Sequence, residues 1–102
     1  MPSMFEITNW DSCESFLRDN KRAIIFFGSI SCGHCRNIAS FVKELTQQYP
    51  HVAFAHVEQS RVNCNNLKSM PTFVAYIDGE PKAQVVGAYR DKLQSMIMTE
   101  LR

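Results

Sequence analysis

This chain has no marked excess of positive or negative charge. Eleven Lys and Arg residues are matched by ten Asp and Glu, a formal +1 at pH 7, and no basic run gathers them. A nucleic-acid or anionic-membrane partner therefore has no electrostatic support. Long apolar runs are missing too. None exceeds five residues, as in Ala23 to Phe27, far short of the roughly 20 that span a bilayer. The opening Met1-Pro2-Ser3-Met4-Phe5-Glu6 has neither a basic nor an apolar leader region, so no secretory signal is visible and a reducing, cytoplasmic setting is expected. Repeats, Ser/Gly linkers and charge blocks are also lacking, and residues 1–102 read as one domain. At 45% apolar and 21% charged, the composition excludes disordered and collagenous chains. A domain of this size folds without disulfide staples, so its four cysteines point to chemistry or to packing.

Hydrophobic periodicity alternates between strand and helix along the chain. Phe5 and Ile7 flank Glu6 as in a strand. Asn9 or Asp11 can cap a short helix with Trp10, Cys13, Phe16 and Leu17 at helical spacing. Ala23 to Phe27, apolar at every position, reads as a central strand covered on both faces. Gly28-Ser29-Ile30-Ser31 breaks it. Ile38, Phe41, Val42, Leu45 and Tyr49 then mark one face of a helix that must end before Pro50. Val52 to Val57 is another buried strand. Residues 60–68 are polar, with only Val62, Cys64 and Leu67 to bury, and suggest a short or irregular helix. Thr72 to Ile77 has the β-branched and aromatic content of a strand. Asp78-Gly79 signals a hairpin returning through Ala83 to Val86. After Gly87, Leu93, Met96, Ile97 and Leu101 define a last amphipathic helix. The order β-α-β-α-β-α-β-β-α implies an α/β fold, a mixed sheet with helices on both faces and the hairpin at one edge.

Cys32-Gly33-His34-Cys35 lies between the buried strand and the long helix, which puts Cys32 at a helix N-terminus. Unpaired N–H groups and the positive end of the helix dipole favour an anion there and enlarge the thiolate fraction. Cys35 then lies close enough to close a small-ring disulfide. Cys32 would attack a substrate disulfide and Cys35 would resolve the mixed disulfide. A zinc site would need partners from His51, His56, Cys13 or Cys64, none of which forms a second close pair. Haem attachment needs His directly after the second Cys, where Arg36 stands.

Met70-Pro71-Thr72, opening a strand downstream of this pair, brings in a resemblance. The apolar strand, C-G-H-C, Met-Pro-Thr-Phe, the Asp78-Gly79 hairpin and Val86-Gly87-Ala88 before the final helix together resemble the thioredoxin family over nearly the whole chain. The likeness implies the thioredoxin fold and thiol–disulfide oxidoreductase activity. It makes Pro71 a cis-proline packed against the active-site disulfide. It places Ser31, Gly33, Met70, Gly87 and Ala88 along a shallow groove for substrate peptides, with the Met70 main chain pairing by strand addition. No bound cofactor is required, since the dithiol carries the electrons. Disulfide-containing proteins are the implied substrates, and a thioredoxin-reductase-type enzyme or glutathione the implied electron donor.

The sequence departs from the family pattern at three places. Ser31 replaces the usual Trp before the first Cys. The acid commonly buried beneath the second Cys falls at Phe26, and the charged residue facing it falls near Phe54. Phe26 cannot accept a proton, so Cys35 should be harder to ionise. Resolution would then rely on water, the substrate or His34, and mixed disulfides should be released slowly. His34 makes the pair C-G-H-C, as in protein disulfide isomerases. An imidazole beside Cys32 stabilises the thiolate and the reduced form, raising the potential by a few tens of millivolts. Cys13 reads as a core residue, and Cys64 as either packed or an exposed thiol. His51 reads as a solvated loop residue and His56 as having no role. Met70, Met96 and Met98 read as core and groove fillers. Two other functions stay open: a non-catalytic scaffold of the same fold, and an iron–sulfur-bridged dimer held by Cys32 of two chains.

Overall fold

Four successive residues of one strand, Ala23, Ile24, Ile25 and Phe26, are buried. Side chains on a strand alternate between faces, so an unbroken buried run requires cover on both. That strand, β2 (Arg22–Gly28), is the middle of a five-stranded sheet. The structure, a computed structural model, describes residues 4–29, 32–58 and 71–102. The helix expected over residues 60–68, with Val62, Cys64 and Leu67, lies outside them. The described elements are β1 (Phe5–Ile7), α1 (Trp10–Asp19), β2, α2 (Gly33–Gln48), β3 (Ala53–Glu58), β4 (Thr72–Ile77), β5 (Glu80–Val86) and α3 (Arg90–Glu100).

The strands are ordered β1-β3-β2-β4-β5. β3 runs parallel to both β1 and β2, whereas β4 is antiparallel to β2 and β5. The hairpin therefore forms one edge, as its turn signal implied. Asp78 and Gly79 both have positive φ, 52° and 82°, which the two central residues of a tight hairpin need to match the twist of the strands. A register irregularity between Ala75 and Tyr76 brings Tyr76 opposite Pro81. The edge position spares Pro81 the ladder donor that it lacks.

Two apolar layers flank the sheet. On one face Ile24, Phe26, Phe54 and Phe73 meet Ile38, Val42 and Leu45 of α2 and Leu93, Met96 and Ile97 of α3. On the other, Ile7, Ile25, Ala55 and Val57 meet Phe16 of α1. Asn9, not Asp11, caps α1. Its Oδ1 accepts from the Ser12 amide at 2.8 Å, and Ser12 Oγ accepts from the Asn9 amide at 3.3 Å, a reciprocal capping box. Trp10 does not join the core; it is 68% exposed. At about 100° per residue it projects about 120° away from Phe16, the residue that faces the sheet. Cys13, about 60° from Phe16 by the same count, is half-buried. Met96 is core, but Met98 is exposed, outside the Leu93, Met96 and Ile97 stripe. α2 stops where Pro50 requires, with the Tyr49 amide donating to the Leu45 carbonyl at 2.9 Å.

Candidate active site

β2 ends at Gly28 and α2 starts at Gly33, so the cysteine pair sits at the strand-to-helix junction. Cys32 is the N-cap of α2, and its Sγ accepts the Cys35 amide at 3.1 Å. A cap oxygen of Ser, Thr, Asp or Asn usually fills that role; here sulfur does. The Arg36 amide donates to the Cys32 carbonyl at 3.1 Å, and the Cys32 amide donates to the Ser29 carbonyl at 3.1 Å. These bonds fix Cys32 on both sides. An N–H aimed at the sulfur, at the positive end of a 16-residue helix, offers electrostatic support to negative charge on it.

Cys35 lies one turn deeper and is buried. Its thiol is pushed up from 9.0 to about 11. Burial is the largest cause, followed by the hydrogen bond with Cys32; the Cys32 and Glu58 charges add to it, and a backbone hydrogen bond from Ser29 opposes it. The direction agrees with the apolar surroundings expected from Phe26. Because the folded chain holds this proton more tightly than the unfolded one, the contribution to stability is complete below pH about 9 and is lost as pH rises toward about 11. The urea midpoint of the reduced chain is therefore expected to fall across that window more steeply than that of the oxidised chain, which has no thiol at position 35. Parallel curves for the two forms would contradict it.

Gly28 does more than break a strand. A Cβ there would lie 2.7 Å from the Phe26 ring and 3.2 Å from Cys35 Sγ, so the backbone passes beneath the sulfur where no side chain fits. Just before β4, Pro71 is buried, and its carbonyl accepts the Gly87 amide at 2.7 Å. Gly87 has φ 109°, a conformation that favours glycine. The pairings Phe27 with Thr72 and Thr72 with Val86 put Pro71 and Gly87 at the end of the sheet from which the cysteine motif departs. Ala88 is half-buried against the α2 and α3 layer. Gly33 and His34 are exposed in the first turn of α2. Ser31, Met70, Cys64 and the Met70–Pro71 peptide bond lie outside the described residues.

One expectation about the surroundings of Cys35 is corrected by the strand register. Phe26 pairs with His56, and Phe54 pairs with Ile24. The residue facing position 26 is therefore His56, not Phe54. Its ring lies 5.1 Å from that of Phe26, which stacks on Phe73 at 4.8 Å. His56 Nδ1 contacts the Glu6 carboxylate of β1 at 3.0 and 3.2 Å. The two-residue period could have indicated this, since Phe54 on the α2 face requires His56 there too. A cavity of about 140 Å³ is lined by Phe26 of β2, His56 of β3 and Cys35, Arg36 and Ala39 of α2, together with Met4 and Ser29. Away from the site, burial raises the Cys13 thiol, with a smaller push from Glu14. His51 is exposed in the turn after Pro50, as expected of a solvated loop residue, with Nε2 3.0 Å from the Leu101 carbonyl. Among the described residues no three His, Cys, Asp or Glu side chains converge as metal ligands would, and no helix is long and apolar enough to cross a membrane.

Comparison with known proteins matches this geometry. A family profile described as Thioredoxin covers residues 4–99. Thioredoxin-2 of Pyricularia oryzae is 31% identical over 93% of the chain, which spans 58% of that protein's length. Thioredoxin Asp f 28 of Aspergillus fumigatus is 38% identical over 72% of the chain and 73% of its own length. A solved structure of Plasmodium falciparum thioredoxin superposes with a TM-score of 0.85 at 27% identity, covering 95% of this chain and 99% of that one.

Proposed function

The chain belongs to the thioredoxin family and is a thiol–disulfide oxidoreductase, and from that premise we propose that Cys32 is its nucleophile and Cys35 its resolving thiol. Cys32 Sγ attacks a substrate disulfide, one substrate sulfur leaves, and a mixed disulfide forms. Cys35 then attacks Cys32 Sγ, the second substrate sulfur leaves, and the dithiol has passed two electrons to the substrate. The hydrogen bond from the Cys35 amide to Cys32 Sγ at 3.1 Å carries this assignment of roles. Support also comes from Cys35, whose thiol keeps its proton up to about 11. One sulfur is set up to attack and the other to wait.

In the same proposal Pro71 bounds the sulfurs, and Gly33, Gly87 and Ala88 line the groove for the substrate main chain. His34, exposed in the first helical turn, tunes the couple toward oxidation. The substrates are protein disulfides, and a thioredoxin-reductase-type enzyme or glutathione returns the electrons. Residues 1–102 work as one domain in a reducing compartment such as the cytoplasm, maintaining redox balance. The test is equilibration of the purified chain against glutathione together with insulin reduction. Insulin should be reduced, and the potential should lie a few tens of millivolts above the roughly −270 mV of thioredoxin. A potential at or below that value would overturn the role of His34.

A further inference from the structure

We propose that His56, oriented by Glu6, accepts the proton of Cys35 when the mixed disulfide is resolved. The inference rests on the assignment of Cys35 as resolving thiol. With Phe26 in place of the family's buried acid, the sequence leaves water, the substrate or His34 to take the Cys35 proton, and slow release of the mixed disulfide is the expectation. The register instead puts an imidazole directly across from Phe26, on the wall of the cavity that Cys35 also lines. The His56 side chain is half-buried, 15% exposed, and that of Glu6 is 63% exposed.

The Glu6 contacts settle how the ring can act. A carboxylate at 3.0 and 3.2 Å from Nδ1 takes a hydrogen bond from Nδ1–H, so in the neutral ring Nε2 keeps its lone pair. A proton arriving at Nε2 makes an imidazolium whose charge the same carboxylate stabilises, the logic by which an acid orients a catalytic histidine. The cavity of about 140 Å³ has room for a water between the imidazole and the thiol, which would be its polar partners. The Cys35 thiol gives its proton through that water to Nε2. The new thiolate attacks Cys32 Sγ, the bond from Cys32 to the substrate sulfur breaks, and its electron pair leaves on that sulfur. The imidazolium then returns the proton to the released thiolate or to solvent, and the cycle closes with no external reagent. Glu6 is a positioning residue in this step.

Among the described residues, the other charged groups near this face are Arg36 of α2, which also borders the cavity, and Glu58, two residues along β3, whose charge acts on Cys35. Glu58 holds the Cys35 proton in place by repulsion, and it does not border the cavity. His56 does.

Single-turnover kinetics separate this step from the first exchange. His56→Gln keeps a donor for Glu6 but cannot take the proton. It should slow release of the mixed disulfide about tenfold or more, within the range of general-base effects, while the attack by Cys32 stays at the parent rate. In His56→Ala, free imidazole in the buffer should restore release. A fold-compromised variant would lose both steps and would not respond to imidazole. Unchanged release in His56→Gln overturns the proposal, as does slowing in Glu58→Gln alone. Failure of the first exchange in the parent protein would count instead against the assignment of Cys32.

Discussion

Cys32→Ser is expected to bring disulfide reduction down to the rate of the thiol reagent alone, a loss of about a thousandfold or more. A hydroxyl in the same cap position still accepts the Cys35 amide, so the helix start should survive and the fold with it. What disappears is the sulfur that can attack a disulfide and bond to another sulfur. Cys35→Ser should behave in the opposite way. The first exchange proceeds, the second cannot, and the chain accumulates as a covalent adduct with its substrate. Mass spectrometry of the two variants after mixing with a model disulfide reads the difference directly: one substrate sulfur attached in Cys35→Ser, none in Cys32→Ser. An adduct on Cys35 in the Cys32→Ser protein would exchange the two roles. Inactivity of the parent itself would return the chain to a scaffold reading.

The largest expected effect on stability belongs to Phe73→Ala. Phe73 is fully buried on β4 and stacks on Phe26 with ring centroids 4.8 Å apart. It is held between its pairing partners, Phe26 on β2 and Val85 on β5. Truncation removes the apolar area and leaves a cavity that a sheet hydrogen-bonded on both sides cannot close, so about 3–5 kcal/mol should be lost. For a domain of this length that corresponds to a fall of about 15–30 °C in the melting midpoint. The comparison is Trp10→Ala. Trp10 is larger than Phe73 but 68% exposed, and surface substitutions of this kind stay within about 0.5 kcal/mol. Thermal unfolding of both variants checks the pair. A drop below about 1 kcal/mol for Phe73→Ala would mean that the β2 and β4 rings are not packed as described.

The same contrast explains which features could be read before folding. The central strand was legible because Ala23 to Phe27 is apolar at every position, and only cover on both faces makes such a run soluble. The hairpin was legible because Asp78-Gly79 is a local conformational demand. α3 was legible from Leu93, Met96, Ile97 and Leu101, all of them buried. Trp10 shares the helical spacing yet lies exposed, because spacing near the end of a short helix does not say where the sheet lies. Met98 was misjudged because being apolar is not the same as facing inward.

The candidate site divides along the same line. Cys32 and Cys35 are neighbours in the chain, so the cap and the hydrogen bond between them follow from where the helix starts. His56 is different. Nothing within its own segment connects it to Phe26, Glu6 or Cys35, which lie on three other elements, and comparison with the family pattern misplaced the facing residue at Phe54.

The sequence by itself determined the identity of the chemistry: two thiols with two residues between them, a break between strand and helix to present them, and a proline and a glycine-bearing strand end downstream. These are local features, set by torsion preferences and by the helix terminus. Only the tertiary structure decided what surrounds the second thiol. Parallel pairing of β3 with both β1 and β2 brings the imidazole of His56 between Glu6 and Phe26. Relative register is a property of the assembled sheet, fixed by which faces can be buried together, and a shift of one residue would have turned His56 to the opposite face.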